Sequence, residues 1–336
     1  MNSFIAALAK ADPLTASSGC PFIRLSLRAF THLRLLPFLA TTAVCGAATA
    51  GEAPKPDLYT GRDTLSIRPD KLPRAQARIE AVAWTPQAFE VRCTAANGGG
   101  HDAVVRFPSP RPSGDAWQDR VPMWWYAARG PDGAAIEAPA VLLVHSLLPG
   151  MHITRALARG FAVRGLHGFV VHMPGYGLRS DGHARGAGVT SLLHGRQAVA
   201  DVRRARDAIA ALPNVKPGPI AIVGASLGAF AASVAASVDS GFDPVLLLLG
   251  GGDSYGVLQT GRWDAATLRQ SMEQAGFRGP KLRQLVDQVE PLHLAHRLDP
   301  ARTWLFSARA DQVVRQRNSD ALAQAVGLDD GHRIWL

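Results

Sequence analysis

The sequence predicts an α/β fold in which helices cover both faces of a mostly parallel central sheet. Two observations predict it. Unbroken apolar runs of a few residues alternate with helical patterns from residue 121 onward, as expected for strands buried on both faces. No repeat with a period of about 20–50 residues recurs, which argues against a solenoid or a propeller.

The predicted elements follow in chain order. The strands are Val121–Ala127, Ala140–His145, Gly168–His172, Ile220–Val223, Val245–Leu249, Thr303–Phe306 and Arg333–Leu336. The helices between them are His152–Arg164, Leu192–Leu212, Ala229–Val238 and Ser319–Val326. Residues 254–300 interrupt this alternation with a mixed helical stretch, which is typical of a small lid over the carboxyl ends of the strands.

Residues 51–102 are predicted to form a linker or extended lead-in to the main domain at residues 103–336. Residues 51–75 are polar and contain several prolines, as linkers do. Extended stretches are expected at Ala75–Val91 and Ala103–Phe107, on either side of a glycine-rich turn.

Residues 1–50 have the features of a signal peptide. Three arginines precede the apolar run Leu35–Ala47, and Ala48-Thr49-Ala50 then offers an A-x-A cleavage site. The run is shorter than the ~20 apolar residues of a membrane span, so no stable span is expected. We therefore expect a secreted or periplasmic protein, with an uncleaved membrane anchor as the alternative.

The net charge of +9 comes from 36 Lys and Arg against 27 Asp and Glu. Because the arginines are scattered, without a basic run or interleaved aromatic residues, we expect a solvated arginine-rich surface and no nucleic-acid partner. With 47% hydrophobic and 19% charged residues, the composition excludes a disordered chain.

The segment GASLG at residues 224–228 matches the G-x-S-x-G pattern, in which a serine nucleophile sits on a sharp turn. The predicted strand Ile220–Val223 enters the segment and the predicted helix Ala229–Val238 leaves it, which is the setting that the motif requires. A serine that only caps an ordinary helix is the alternative. Ser226 is thus the candidate nucleophile.

With this motif in place, residues 103–336 resemble the α/β-hydrolase family of esterase- and lipase-like serine hydrolases. The segment VLLVHS at residues 141–146 is similar to the family's strand that ends in His-Gly, with Ser146 in place of the glycine. The resemblance implies an α/β-hydrolase fold with a mostly parallel sheet, helices on both faces and a small helical lid insertion.

The resemblance also implies an oxyanion hole, formed by the backbone N–H groups of Leu227 and of Leu147 or a neighbour. The segment HMPGYG at residues 172–177 is similar to a turn that follows the next strand in the family, with His172 in place of an aspartate. That position is structural in the family, so His172 is expected to be a hydrogen-bonded turn residue.

In this family the catalytic residues follow the order serine, acid, histidine. Asp311 lies in a segment that is similar to the family's acid turn, five residues after the predicted strand Thr303–Phe306. Asp253 follows the preceding strand and is the second candidate for the acid. A surface aspartate that begins a helix is the alternative reading of Asp311.

The catalytic base is harder to assign. His332 is the only histidine after Asp311, so chain order nominates it. However, His332 begins the last predicted strand, and a strand of that length separates it by roughly 13 Å from the sheet edge where Ser226 and Asp311 should meet. The alternatives are a chain that stops short of its catalytic histidine, or recruitment of His145, His172 or His183.

We therefore expect a secreted serine hydrolase that cleaves small carboxylic esters through an acyl-enzyme on Ser226, without a cofactor or a metal ion. The pair His293 and His296 is expected to be a satisfied polar pair, because no ligands at metal-binding spacing accompany it. The alternative is a non-catalytic binding protein with this fold, or a fragment without its catalytic histidine. The oligomeric state stays open.

Overall fold

A ten-stranded sheet forms the centre of the structure, a computed structural model that describes residues 55–148, 150–180 and 186–336. The predicted signal peptide and His183 lie outside these residues. In chain order the strands are β1 Asp57–Arg62, β2 Ala88–Ala95, β3 Ala103–Pro108, β4 Arg120–Tyr126, β5 Ala140–Val144, β6 His167–Val171, β7 Ala221–Ala225, β8 Val245–Leu248, β9 Thr303–Ser307 and β10 Arg333–Trp335.

The strands lie side by side in the order β1-β2-β3-β4-β6-β5-β7-β8-β9-β10. The pairs from β1 to β4 and between β4 and β6 are antiparallel, whereas all pairs from β6 to β10 are parallel. Every residue of β5, β6 and β7 is buried, because helices cover both faces of the sheet. The predicted mostly parallel sheet is thereby confirmed.

The α-helices of the described residues lie mainly between the parallel strands. They are α1 Pro73–Val82, α2 Ala116–Asp119, α3 His152–Val163, α4 Ala187–Leu193, α5 Gly195–Ala210, α6 Leu227–Asp239, α7 Ser254–Thr260, α8 Asp264–Gln274, α9 Pro280–Asp287 and α10 Gln316–Val326. The helix predicted over Leu192–Leu212 is interrupted at His194, whose φ of −102° and ψ of 28° separate α4 from α5.

Residues 57–102 contribute more than the extended lead-in expected of residues 51–102, because β1 and β2 extend the same sheet at its antiparallel edge. The expectation of an extended Ala75–Val91 was wrong in its first half, where α1 forms with Pro73 at its first position. The buried side chains of α1 follow helical spacing, since Ala75, Ile79 and Val82 pack into the core.

A buried ion pair and a hydrogen bond join this N-terminal part to α5. The guanidinium of Arg204 bonds to the carboxylate of Asp63 at 2.5 and 2.9 Å, and both side chains are almost fully buried. The hydroxyl of Thr64 donates to the Asp207 carboxylate at 2.6 Å. Residues 57–108 therefore fold as part of the same unit as the parallel strands.

Residues 254–300 form the predicted helical insertion between β8 and β9. Helices α7, α8 and α9 are followed by short 3-10 turns at Pro291–His293, Ala295–Arg297 and Pro300–Arg302. Across residues 55–148, 150–180 and 186–336, none of the helices combines the length and the apolar character needed to cross a membrane.

Candidate functional site

Ser226 stands at the point where β7 ends and α6 begins, and its backbone is strained. Its φ of 50° and ψ of −117° are rare for a residue with a side chain. The turn is nevertheless fixed on both sides. The N–H of Ser226 donates to the carbonyl of Leu248 at 2.8 Å, and its own carbonyl accepts from the N–H of Ala229 at 2.7 Å. This is the strand, sharp turn and helix that the sequence motif requires.

The two glycines of the motif are needed because backbone passes close to both. A Cβ at Gly228 would lie 2.2 Å from the carbonyl oxygen of Val144 and 2.5 Å from that of His145. A Cβ at Gly224 would lie 2.4 Å from the carbonyl oxygen of Gly228. Helix α6 can therefore approach the end of β5 closely, which brings Ser226 beside the loop that follows β5.

The backbone N–H of Leu227 is the first of the two donors expected for an oxyanion hole. Leu227 is the first residue of α6, and N–H groups in the first turn of a helix have no acceptor within the helix. They also lie at the positive end of the helix dipole, which favours negative charge in front of them. Leu227 and Ser226 line the same cavity.

His145 holds the peptide that carries the second expected donor, the N–H of Leu147. Its Nε2 accepts from the N–H of Met173 at 3.1 Å, so the ring proton must be on Nδ1, which donates to the Ser146 carbonyl at 2.8 Å. Burial lowers the pKa of His145 to about 4 and keeps the ring neutral. In a trans peptide, a carbonyl turned toward His145 directs the N–H of Leu147 the opposite way.

Tyr176 fixes the same loop from the other side of Leu147. Its hydroxyl donates to the Leu147 carbonyl at 2.9 Å, and its ring centroid lies 4.5 Å from that of His145. Tyr176 is buried, and this burial raises the pKa of its phenol and keeps it a hydrogen-bond donor. The backbone on both sides of Leu147 is thus held before any ligand arrives.

The turn at residues 172–179 supports Tyr176, and His172 has the structural role expected of it. Its Nδ1 accepts from the N–H of Leu178 at 3.0 Å, and burial holds the pKa of the ring well below its ordinary value. Arg179 is fully buried, donates to the His172 carbonyl at 3.1 Å and pairs with Asp201 at 2.8 Å. His145 and His172 are therefore occupied in holding loops.

Asp311 lies at the same edge of the sheet as Ser226. Residues Ala225, Leu248 and Phe306 are aligned across β7, β8 and β9, so two strand spacings, or roughly 10 Å, separate the strands that precede the two side chains. The carboxylate of Asp311 accepts from the N–H groups of Val313 and Val314 at 2.8 and 3.0 Å. These two bonds fix the turn, and one imidazole could bridge the remaining gap.

Asp253, the second candidate for the acid, is engaged elsewhere. Its side chain accepts from the N–H of Gly256 at 3.0 Å and caps α7.

His293 and His296 bond to two different carboxylates, those of Asp287 at 2.7 Å and Asp70 at 2.8 Å. The two histidines therefore do not form a common site.

The assignment of His332 as the base needs correction, because the structure does not bring it to Ser226 and Asp311. Its carbonyl accepts from the N–H of Leu305 in the middle of β9, and its Nδ1 bonds to Asp329 at 2.7 Å. Counting strand spacings across the sheet and residues along the strands, His332 lies roughly 17 Å from Ser226. Chain order alone nominates His332, whereas the length of the predicted strand Arg333–Leu336 already argues against it.

Replacing His332 with glutamine is therefore expected to leave the rate of ester hydrolysis within about twofold of the parent protein. The exposed bond to Asp329 contributes little to stability, so the melting temperature should change only slightly. Steady-state kinetics with a p-nitrophenyl ester check this prediction. If the variant folds and its rate of ester hydrolysis falls by about 100-fold, the result would contradict this prediction and support His332 as the base.

A largely apolar cavity of about 110 Å³ opens beside Ser226. The insertion, helices α4, α5 and α6, and the loops that follow the parallel strands all contribute to its lining. Leucine, valine, alanine and phenylalanine side chains dominate its lining, among them Val199, Phe230, Leu258, Leu268, Val286 and Val313. Apolar walls beside a candidate nucleophile suit an acyl group, because such a group loses contact with water on binding.

Two features of this site escaped the sequence interpretation. The role of Tyr176 depends on a contact with Leu147, 29 residues away, and no local pattern shows it. The buried pair of Arg179 and Asp201 left a weak signal, because Asp201 falls three residues after Ala198 and four before Ala205 on the buried face of α5.

No protein-family model matches the sequence, and no curated protein matches it. Solved structures, in contrast, are similar to this chain. An acetyl xylan esterase from Paenibacillus sp. R4 is similar over 81% of this chain and 89% of that one, with a TM-score of 0.55 and 14% identity. Acetyl xylan esterase 1 from Thermoanaerobacterium sp. JW/SL YS485 is similar over 83% of this chain and 88% of that one, with a TM-score of 0.54 and 12% identity.

A puromycin-hydrolyzing peptidase from Mycobacterium tuberculosis is also similar, with a TM-score of 0.51 and 18% identity. The similarity covers 74% of this chain but only 41% of that peptidase, so this chain spans less than half of its length. At such identities the comparisons show the fold alone. The protein has the α/β-hydrolase fold.

Proposed function

We propose that the protein is a serine hydrolase that cleaves carboxylic esters through an acyl-enzyme on Ser226. The observation that carries the proposal is the strained backbone of Ser226 beside an apolar cavity, with the N–H groups of a helix start next to it. The acetyl xylan esterases and the puromycin-hydrolyzing peptidase of similar fold support a hydrolase.

In the proposed reaction, a base takes the proton of Ser226 while its Oγ attacks the ester carbonyl. The carbonyl oxygen becomes negatively charged and accepts hydrogen bonds from the N–H groups of Leu227 and Leu147. The alcohol leaves with the proton from the base, and the acyl group stays on Ser226. Water, activated by the same base, then attacks the acyl-enzyme and releases the acid.

Asp311 would orient the base and stabilise its protonated form. None of the histidines in residues 55–148, 150–180 and 186–336 lines the cavity or bonds to Asp311. This observation favours a second candidate function, that of a non-catalytic binding protein whose apolar cavity holds a ligand without cleaving it.

Free imidazole separates the two functions. If the gap between Ser226 and Asp311 is open, about 50 mM imidazole should raise the rate of p-nitrophenyl ester hydrolysis several-fold, because a positioned imidazole supplies the missing general base. Ser226→Ala, measured in parallel, subtracts the hydrolysis that imidazole performs by itself in solution.

A Ser226-dependent rate without imidazole would also support the hydrolase, and would mean that the chain supplies its own base. Rates equal to those of Ser226→Ala both with and without imidazole would refute the hydrolase and favour the binding protein.

Export is proposed from the sequence of residues 1–50 alone, since these residues lie outside the described part of the structure.

A further inference from the structure

One titratable side chain lines the cavity beside Ser226, that of Asp264. The other described lining residues are apolar, apart from Gly195 and the hydroxyl groups of Ser191, Ser226 and Ser254. Asp264 is the first residue of α8 and is exposed, which places its carboxylate at the open side of the cavity. A single negative charge at the rim of an apolar cavity is a selective feature, because it attracts cations and repels anions.

The carboxylate of Asp264 has no protein partner within residues 55–148, 150–180 and 186–336. The two nearest arginines in the chain are directed elsewhere: Arg262 donates to the Gln312 side chain at 3.1 Å, and Arg269 to the carbonyls of Leu258 and Gln259 at 3.0 and 2.8 Å. In contrast, the buried carboxylates of Asp63 and Asp201 are paired with arginine. Asp264 is therefore available to a ligand.

The surroundings of Asp264 fit a cation. Burial raises the pKa of Tyr176, the phenol that holds Leu147, and the negative charge of Asp264 adds to this increase. The residue before it, Trp263, has a φ of 50° and is 62% exposed. Trp263 directly precedes Asp264 in the chain, and an exposed indole attracts ammonium groups.

We propose that Asp264 binds an ammonium group on the alcohol part of the substrate, while the acyl part occupies the apolar cavity. This inference rests on the proposed function, because it takes Ser226 as the reacting centre. The substrate class would be carboxylic esters of cationic amino alcohols, in preference to neutral esters of the same shape.

Butyrylcholine and 3,3-dimethylbutyl butyrate test the proposal, because the two esters have nearly the same shape and differ by one positive charge. Their affinities are measured by calorimetry on Ser226→Ala, which cannot cleave them through Ser226. We expect this protein to bind butyrylcholine about fivefold more tightly than the neutral ester, as a rim charge pair allows. Adding Asp264→Asn should reduce the ratio to about one, whereas the surface change Asp330→Asn should leave it unchanged.

The inference would be overturned by equal affinities for the two esters, or by a preference for butyrylcholine that Asp264→Asn leaves unchanged. Raising the salt concentration should also lower the ratio, because dissolved ions screen an exposed charge pair. The outcome is independent of catalysis: a charge-dependent affinity without any Ser226-dependent hydrolysis would refute the hydrolase and keep the cation site.

Discussion

With imidazole present, Ser226→Ala is expected to reduce the hydrolysis of a p-nitrophenyl ester several-fold, to the rate that imidazole and buffer give without the protein. The reason is that the Oγ of Ser226 forms the bond to the acyl group in the proposed reaction. The serines Ser191 and Ser254 line the same cavity, but neither of them has the positive φ of Ser226. They are not expected to take its place.

The same variant should fold as the parent protein does, since no bond within the described residues depends on the Ser226 hydroxyl. Its melting temperature is therefore expected to change by no more than a few degrees. Ser271→Ala, on an exposed part of α8, is the matched control and should retain the full rate. A Ser226→Ala protein with the parental rate would remove Ser226 from the mechanism.

Gly228→Ala is expected to destabilise the protein by about 3 kcal/mol, an unusually large effect for one added methyl group. The methyl carbon would lie 2.2 Å from the Val144 carbonyl oxygen, and neither this backbone nor α6 can move without disturbing the sheet. Because the shift would also displace Ser226 and Leu227, hydrolysis should fall in any fraction that folds. Urea unfolding and the rate of ester hydrolysis measure the two effects.

Gly160→Ala is the matched control for this change. Gly160 also lies in a helix, α3, but a Cβ there would meet nothing within 4 Å. Alanine favours the helix over glycine, so this variant should be more stable by up to about 1 kcal/mol. If the two variants lost the same stability, the close approach of α6 to β5 would not explain the glycine in the motif.

The sequence predicts the centre of this molecule well, because its signals there are local. Apolar runs mark the buried strands, and Ser226 is found from a strand, a turn and a helix that follow one another in the chain. The extended stretch predicted to Val91 covers only the first half of β2, although Phe89, Val91 and Cys93 alternate with exposed residues, which is typical of a half-buried strand. A linker-like composition before it concealed this alternation.

The parts that the sequence could not predict depend on contacts between distant segments. The position of His332 is not among them, because the predicted strand Arg333–Leu336 already put it at the amino end of that strand, where β10 has it. The bond from Tyr176 to Leu147 and the place of Asp264 on the cavity rim both arise from packing between separate segments. Neither has a pattern of spacing that a sequence could display.

A covalent label on Ser226 tests the central claim most directly. A fluorophosphonate reacts with an activated serine, and mass spectrometry of the digested protein locates the adduct. With imidazole present, we expect one adduct, on the peptide that contains Ser226, and none on that peptide in Ser226→Ala. An adduct on a different serine, or no adduct with or without imidazole, would contradict the assignment of Ser226 as the nucleophile.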